Sequence, residues 1–263
     1  MASYGADLAP LVRRLGLHSS LTTAEQDAIL DLPARITTLK PHARLYRQGE
    51  VAQQCTVLLT GYACRSTLLP DGGRQILSLP MPGDLVDGDR LAAARIDHGA
   101  EMITAGRTAT IATAAIEGAI ALYPNIGRAF WRTAVAEAAV QREWIVNVGR
   151  RRAHARIAHL LCELAVRHEM LGLGDRDGFP WVMTQSQLGD CAGLTSVHVN
   201  RVMRSLRDAG LIDGDKRQLI VADWAGLCAL GGFDEAYLRG RPNAATRRPV
   251  AVETVSRFEQ RVM

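Results

Sequence analysis

Residues 184–207 read TQSQLGDCAGLTSVHVNRVMRSLR. Thr184 stands three residues before Gln187, the spacing of a capping box, and opens a helix through about Ala192. Gly193 falls where a tight turn between two helices requires it, and the apolar Leu194 packs the turn. Thr195 then caps a second helix running to Arg207. On that helix Val199, Val202, Met203 and Leu206 share one face, while Ser196, Val197, Asn200, Arg201 and Arg204 share the other. It carries three arginines and no acid. Such a face suits the DNA major groove: a planar bidentate Arg, an Asn that pairs with adenine, and small residues near the N-terminal end for close approach. Arg204 is better placed for a phosphate, and the helix start at Thr184-Gln185 offers backbone N–H groups to a phosphate oxygen.

The flanks support this over a merely solvated amphipathic helix. Leu211-Ile212, a turn at Asp213-Gly214-Asp215, and Gln218–Val221 predict a two-stranded wing with Lys216-Arg217 at its tip. From Arg239 onward, Arg-Pro-Asn and Arg-Arg-Pro indicate a mobile tail. Toward the N-terminus, residues 153–168 predict a helix with Ile157, Leu160, Leu161 and Leu164 on one face and a Glu163–Arg167 pair. Gly149, followed by three arginines, is read as a hinge. Residues 125–148 predict a long helix. One stripe, Ala134, Ala138, Gln141, Ile145 and Val148, has heptad spacing; a second, Ala136, Val140, Trp144 and Val148, lies beside it. A surface that wide needs two partners, and a symmetric partner helix on the first stripe is preferred to a single-domain core.

Residues 36–113 predict short strands at 36–39, 44–47, 56–60, 63–69, 74–79, 102–105 and 109–113, with a hairpin turn at Pro70-Asp71-Gly72-Gly73. Residues 87–100 are expected to form a long surface loop. Residues 6–31 predict short helices, with Thr22 or Thr23 as cap and Glu25 or Gln26 at capping-box spacing.

The chain has 263 residues, 48% of them apolar and 22% charged, which excludes global disorder. No apolar run reaches spanning length, since 109–123 is cut by Glu117, and the N-terminus carries Asp7 and Arg13-Arg14 where an export signal would have its core. Five cysteines, none in a C-x-x-C pair, indicate a reducing cytoplasm with neither a disulfide framework nor structural zinc. The net charge of +4 is uneven: 13 basic and 12 acidic side chains in 1–135, 18 and 15 in 136–263. The motifs G-x-x-x-x-G-K-[ST], G-x-S-x-G and G-x-G-x-x-G are absent, and His168-Glu169 lacks the second histidine of H-E-x-x-H, so an enzyme is not expected.

The order RQGE, Gly61, DGGRQ, PGDLV, a long helix, LCELAV, TQ..L....GLTSVHVNRV..LR.AGLI and FDEAYL resembles the Crp/Fnr family of bacterial transcription regulators, in its alphaproteobacterial branch, over Leu8 to Leu238. The resemblance implies an α+β protein. An N-terminal antiparallel β-roll (a jelly-roll-like double-stranded β-helix) of the cyclic-nucleotide-binding type would occupy 1–124, a dimerisation helix 125–149 and a winged helix-turn-helix 150–238, with the tail at 239–263. It implies a cytoplasmic homodimer on a palindromic site with half-sites about one helical turn apart, activation through RNA polymerase, and control by a small-molecule effector at the β-roll through the long helix. Ser196, Val197, Asn200 and Arg201 fall where the family reads bases; Thr184, Gln185, Thr195 and His198 fall at or beside backbone-contact positions. Many members have a glutamate at the place of Val197, which accepts from cytosine, whereas valine makes only apolar contact, as with a thymine methyl.

The family's cyclic-nucleotide binders use Gly-Glu-Leu for the ribose and Arg-Ser/Thr-Ala for the phosphate. This chain has the shorter Asp84, its Arg107-Thr108-Ala109 comes 23 residues later, and Ile96-Asp97-His98 takes the phosphate position. cAMP is therefore not expected. Nor is an iron–sulfur cluster, since no cysteine precedes Cys55, nor haem, for which His42 and His98 would be ordinary histidines. Asp84, Val140 and Trp144 are the effector-site candidates, and Cys191, in the first helix of the pair, is a candidate redox thiol. The alternative function is a β-roll sensor or interaction protein that does not act through DNA; intact Arg201, Arg204 and wing argue against it.

Overall fold

The computed structural model describes residues 7–51, 53–91 and 95–239, the side chain of Asp89 excepted. The fold is α+β. The chain divides into two compact units within one long helix, after Glu137.

The first unit opens with α1 (Ala9–Gly16) and α2 (Thr23–Leu30). The cap of α2 is Thr22: its hydroxyl accepts from the Glu25 N–H, and the Glu25 carboxylate accepts from the Thr22 N–H at 2.7 Å. Seven strands follow: β1 (Ala34–Leu39), β2 (Arg44–Tyr46), β3 (Gln54–Thr60), β4 (Ala63–Leu68), β5 (Arg74–Ser78), β6 (Gly99–Met102) and β7 (Gly106–Ala112). They form two antiparallel sheets, ordered β1-β7-β3 and β2-β6-β4-β5, which make the roll. Strand β3 explains why this part has two cores. Its alternation sends Cys55, Val57 and Leu59 toward the helices, into a cluster with Leu8, Leu11, Leu15, Ile29 and Ile111. Leu58 points the other way, into a cluster with Tyr46, Ala63, Ala100 and Met102 that draws on both sheets. The β4–β5 hairpin closes as expected, with the Leu69 N–H on the Gly73 carbonyl at 2.7 Å and Asp71 accepting from the Gly73 N–H at 2.9 Å.

Two expectations fail in this unit. The strand placed at 102–105 lies at Gly99–Met102, because Ile103 to Ala105 form the turn into β7. Residues 87–100 are not simply a surface loop. A short 3-10 turn (Gly88–Leu91) and β6 bury Asp87, Arg90, Ile96 and His98, the acid accepting from the backbone and hydroxyl of Thr56 and pairing with Arg90 at 3.1 Å. A helix the sequence reading missed, α3 (Thr113–Leu122), leads into α4 (Pro124–Arg150).

The second unit begins at Ala138, within α4. Gly149 is no hinge by conformation: α4 runs through it, and the break falls at Arg151-Arg152, before α5 (Ala153–Leu171). Helix α5 is the core of this unit, buried along most of its length and packed against α6 (Gln185–Ala192), α7 (Ser196–Asp208) and α8 (Trp224–Gly231). A small antiparallel sheet is ordered β8-β10-β9, from β8 (Gly178–Pro180), β9 (Ile212–Gly214) and β10 (Gln218–Val221). The short α9 (Ala236–Arg239) ends the described chain, so the proposed tail lies outside the described residues from 240 onward.

Candidate nucleic-acid interface

The two helices of the 184–207 segment are built by their caps. Thr184 Oγ1 accepts from the Gln187 N–H at 3.2 Å, and Oε1 of the buried Gln187 accepts from the Thr184 N–H at 2.9 Å. At the other end of α6, Gly193 takes φ +63°, a left-handed conformation that costs glycine little, and the Leu194 N–H closes on the Gly189 carbonyl at 3.0 Å. Thr195 accepts from the His198 N–H at 3.2 Å and starts α7. Arg156 of α5 donates to the Ala192 carbonyl at 2.6 Å, tying α6 to the unit's core. The sequence reading missed that residue; only the triple-arginine run upstream hinted that basic side chains gather there.

Val199, Val202, Met203 and Leu206 are buried, as their spacing predicts. Thr184, Gln185, Thr195, Ser196, Val197, Asn200, Arg201 and Arg204 are exposed, and His198 is half-buried. Val197 shows 70% of its surface to solvent, and Asn200 donates to Gln185 Oε1 at 3.1 Å. The wing forms, with Asp215 accepting from the Arg217 and Gln218 N–H groups at 2.7 and 3.0 Å and leaving Lys216 and Arg217 exposed at the turn. Its third strand, β8, was not foreseen. Exposed Thr, Ser, Asn, Lys and Arg on one helix, one helix start and one hairpin tip make a surface of hydrogen-bond donors and positive charge without an acid on α7 before Asp208.

Within the second unit, Trp144 is buried and its indole N–H donates to both oxygens of Glu163, at 3.0 and 3.1 Å; Val140 is half-buried. Glu163 also accepts from the Tyr237 hydroxyl at 2.8 Å and faces Arg167 at 3.6 Å. Burial pushes its carboxyl pKa up, against the pull of Arg167 and its two hydrogen-bond donors. Beside it His159 is held neutral, burial lowering its pKa to about 3. The sequence reading saw the Glu163–Arg167 spacing but not this buried cluster. Cys191 is buried, while Cys162 of α5 and Cys228 of α8 bring their sulfurs to 3.8 Å. Along α4, Ala134, Ala138 and Ile145 are exposed, the last at 69%, and Gln141 and Val148 are half-buried.

In the first unit, Asp84 is buried, paired with Arg14 at 2.6 Å and accepting from the Met81 N–H at 2.8 Å. Arg107 lies on β7 and pairs with Asp7 at 2.8 Å, and Asp97 is exposed. Asp84 is thus already matched by an arginine, and the position at which the resemblance implies a phosphate contact carries the carboxylate of Asp97. His98 has both ring nitrogens in hydrogen bonds, with Tyr46 at 3.0 Å and Asp97 at 2.8 Å, and His42 is exposed.

Comparison with known proteins agrees with this geometry. The Crp-like helix-turn-helix domain family matches residues 155–230. The nitrogen fixation regulation protein FixK of Rhizobium meliloti is 30% identical over 180 residues, covering 68% of this chain and 79% of that protein. The transcriptional activator protein FnrA of Stutzerimonas stutzeri is 26% identical over 219 residues, covering 83% and 89%. Among solved structures, FixK2 from Bradyrhizobium japonicum superposes with a TM-score of 0.69 at 23% identity, covering 77% of this chain and all of that one. The chain is a regulator and not an enzyme, and it belongs to the Crp/Fnr family of transcription regulators.

Proposed function

We propose that this protein is a homodimeric, sequence-specific activator that reads a palindromic operator with α7 in the major groove. The observation that carries the proposal is the division of α7: an apolar face sunk into the unit, and an outward face of Ser196, Val197, Asn200, Arg201 and Arg204. The N–H groups at the start of α6, with Thr184, and the wing tip at Lys216 lie at the same kinds of position that grip phosphates in such modules. Exposed Ala134, Ala138 and Ile145 on α4, joined by Trp131 at 72% and Val135 at 50% exposure, supply an apolar seam for a second copy. Among the described residues no helix is long and apolar enough to cross a membrane. A cytoplasmic site of action follows from the DNA-reading role proposed here. An effector at the β-roll sets its activity, and RNA polymerase is its partner at the promoter.

Footprinting of purified protein on genomic fragments, with sedimentation to give the mass, tests this. Protection of palindromic sites by a species of twice the chain mass is expected. Uniform, sequence-independent protection, or a monomer that binds with full affinity, overturns it.

A further inference from the structure

Asn200 and Gln185 stand on different helices, yet Asn200 Nδ2 donates to Gln185 Oε1 at 3.1 Å. Both side chains are exposed, and among the described residues this is the one side-chain bond that either amide makes. Between exposed groups such a bond adds little to folding, because water offers each amide the same bond. Its consequence is geometric. An unrestrained asparagine can present its donor or its acceptor at a given point by turning its amide over. Against a base edge the two orientations are not equivalent: adenine sets its N7 acceptor beside its N6 donor, and only one orientation of the amide matches both. With the Gln185 amide turned as in the structure, its Oε1, which can only accept, holds the Asn200 amino group toward α6. The second amino hydrogen and Oδ1 are left for a base.

The backbone is anchored at both ends of this arrangement. Gln185 is the first residue of α6, fixed by the Thr184–Gln187 box, and Asn200 lies one turn into α7, fixed by the Thr195 cap. The Leu194–Gly189 bond holds the turn between them. We infer that Gln185 is a positioning residue that locks Asn200 in one amide orientation and so sharpens the choice of adenine at one base pair of each half-site. The inference rests on the DNA-reading role proposed above for α7. It gives Gln185 a task distinct from gripping a phosphate, and the two tasks have different signatures.

The experiment is selection from a randomised duplex library by the full-length wild type, Gln185→Ala, Gln185→Glu and Asn200→Ala. Affinity is then measured on the selected consensus over a salt series, with thermal unfolding of each variant as a control. If the wild type yields no consensus, the DNA-reading role itself falls, a result unlike any below. Given a consensus, Asn200→Ala marks the base pair concerned by losing its preference there. Gln185→Ala is expected to lose about three- to tenfold of the adenine preference at that same base pair, leaving the other positions and the salt slope intact. Gln185→Glu keeps an acceptor for Nδ2, so the adenine preference survives while every sequence binds more weakly, its charge repelling the phosphates. Uniform weakening by Gln185→Ala with a flatter salt slope would make Gln185 a phosphate contact and overturn the inference. So would a Gln185→Ala consensus identical to wild type, or an Asn200→Ala variant with no altered position.

Discussion

Alanine placed at two glycines, Gly189 and Gly149, tests the packing of the turn against the continuity of the long helix. Both glycines are helical, and alanine gains about 0.8–1 kcal/mol over glycine in a helix interior. At Gly149 a Cβ meets nothing within 4 Å, so that gain is the whole effect. At Gly189 the Cβ would overlap the carbonyl oxygen of Leu194 and reach 3.6 Å from Val199 Cγ2. The overlapped atom is backbone, and its residue is held by the 3.0 Å bond from its own N–H to the Gly189 carbonyl. Relief requires α7 to move off α6. Overpacking of this kind costs about 1–3 kcal/mol, and weakening the bond adds about 0.5–1.5 kcal/mol. Less the propensity gain, Gly189→Ala is expected to lose about 2 kcal/mol. Urea unfolding followed by circular dichroism resolves this: with a slope of about 2 kcal/mol per molar, the midpoint falls by about 1 M for Gly189→Ala. For Gly149→Ala it rises by up to about 0.5 M. DNA affinity should fall with the first and persist with the second. Midpoints that move together would refute the packing argument; loss of DNA binding by a stabilised Gly149→Ala would show that residue 149 bends in function despite its helical conformation.

Arg201→Ala is expected to cost about 1–3 kcal/mol on the consensus and relax one base pair, whereas Arg204→Ala weakens all sequences and flattens the salt slope by about one unit; identical behaviour in binding titrations refutes the division of roles. Trp144→Phe removes the donor shared by both Glu163 oxygens and should cost about 1–3 kcal/mol at pH 7.5. Because Glu163 already has a raised pKa, that cost should shrink as acid protonates it, and a penalty equal at pH 7.5 and pH 5 in urea titrations speaks against the bond. Burial holds His159 and His168 neutral, with pKa values of about 3 and about 4 against 6.5 when unfolded. Their contribution is complete above pH 6.5 and is lost as pH falls toward pH 4, at about 1.4 kcal/mol per unit for each. Glu163, protonating in the folded state, offsets part of it. Stability that is flat or rising from pH 6.5 to 5 contradicts this.

The interface was the most legible part of the chain because local rules decide it. Thr184 with Gln187, Gly193 and Thr195 each act over three or four residues, and the buried and exposed faces of α7 follow from helical period alone. The β4–β5 hairpin was legible for the same reason, through Pro70 to Gly73. What stayed hidden depends on distant partners. The charges of 87–98 suggest a loop until Thr56 and Tyr46 arrive from other strands to satisfy Asp87 and His98. The burial of Glu163 is set by Trp144, 19 residues before it, and Tyr237, 74 after. Strand β6 was misplaced because Gly99, Ala100 and Glu101 have little intrinsic preference for a strand and pair there with β2 and β4 through tertiary contacts. Helix α3 was hidden by Gly118 and by a short apolar run that suits strand or helix alike.

The separation of faces on α7 has a consequence for how this regulator can change. Val199, Val202, Met203 and Leu206 are buried, and burial of apolar surface is what stabilises the fold, while Ser196, Val197, Asn200, Arg201 and Arg204 are exposed. Substitution among the second set therefore leaves the fold's stability margin intact. A duplicated copy of this chain could drift to a new operator one outward residue at a time, with every intermediate still folded. Val197, exposed on that outward face, is a position at which such a step has no cost in the core.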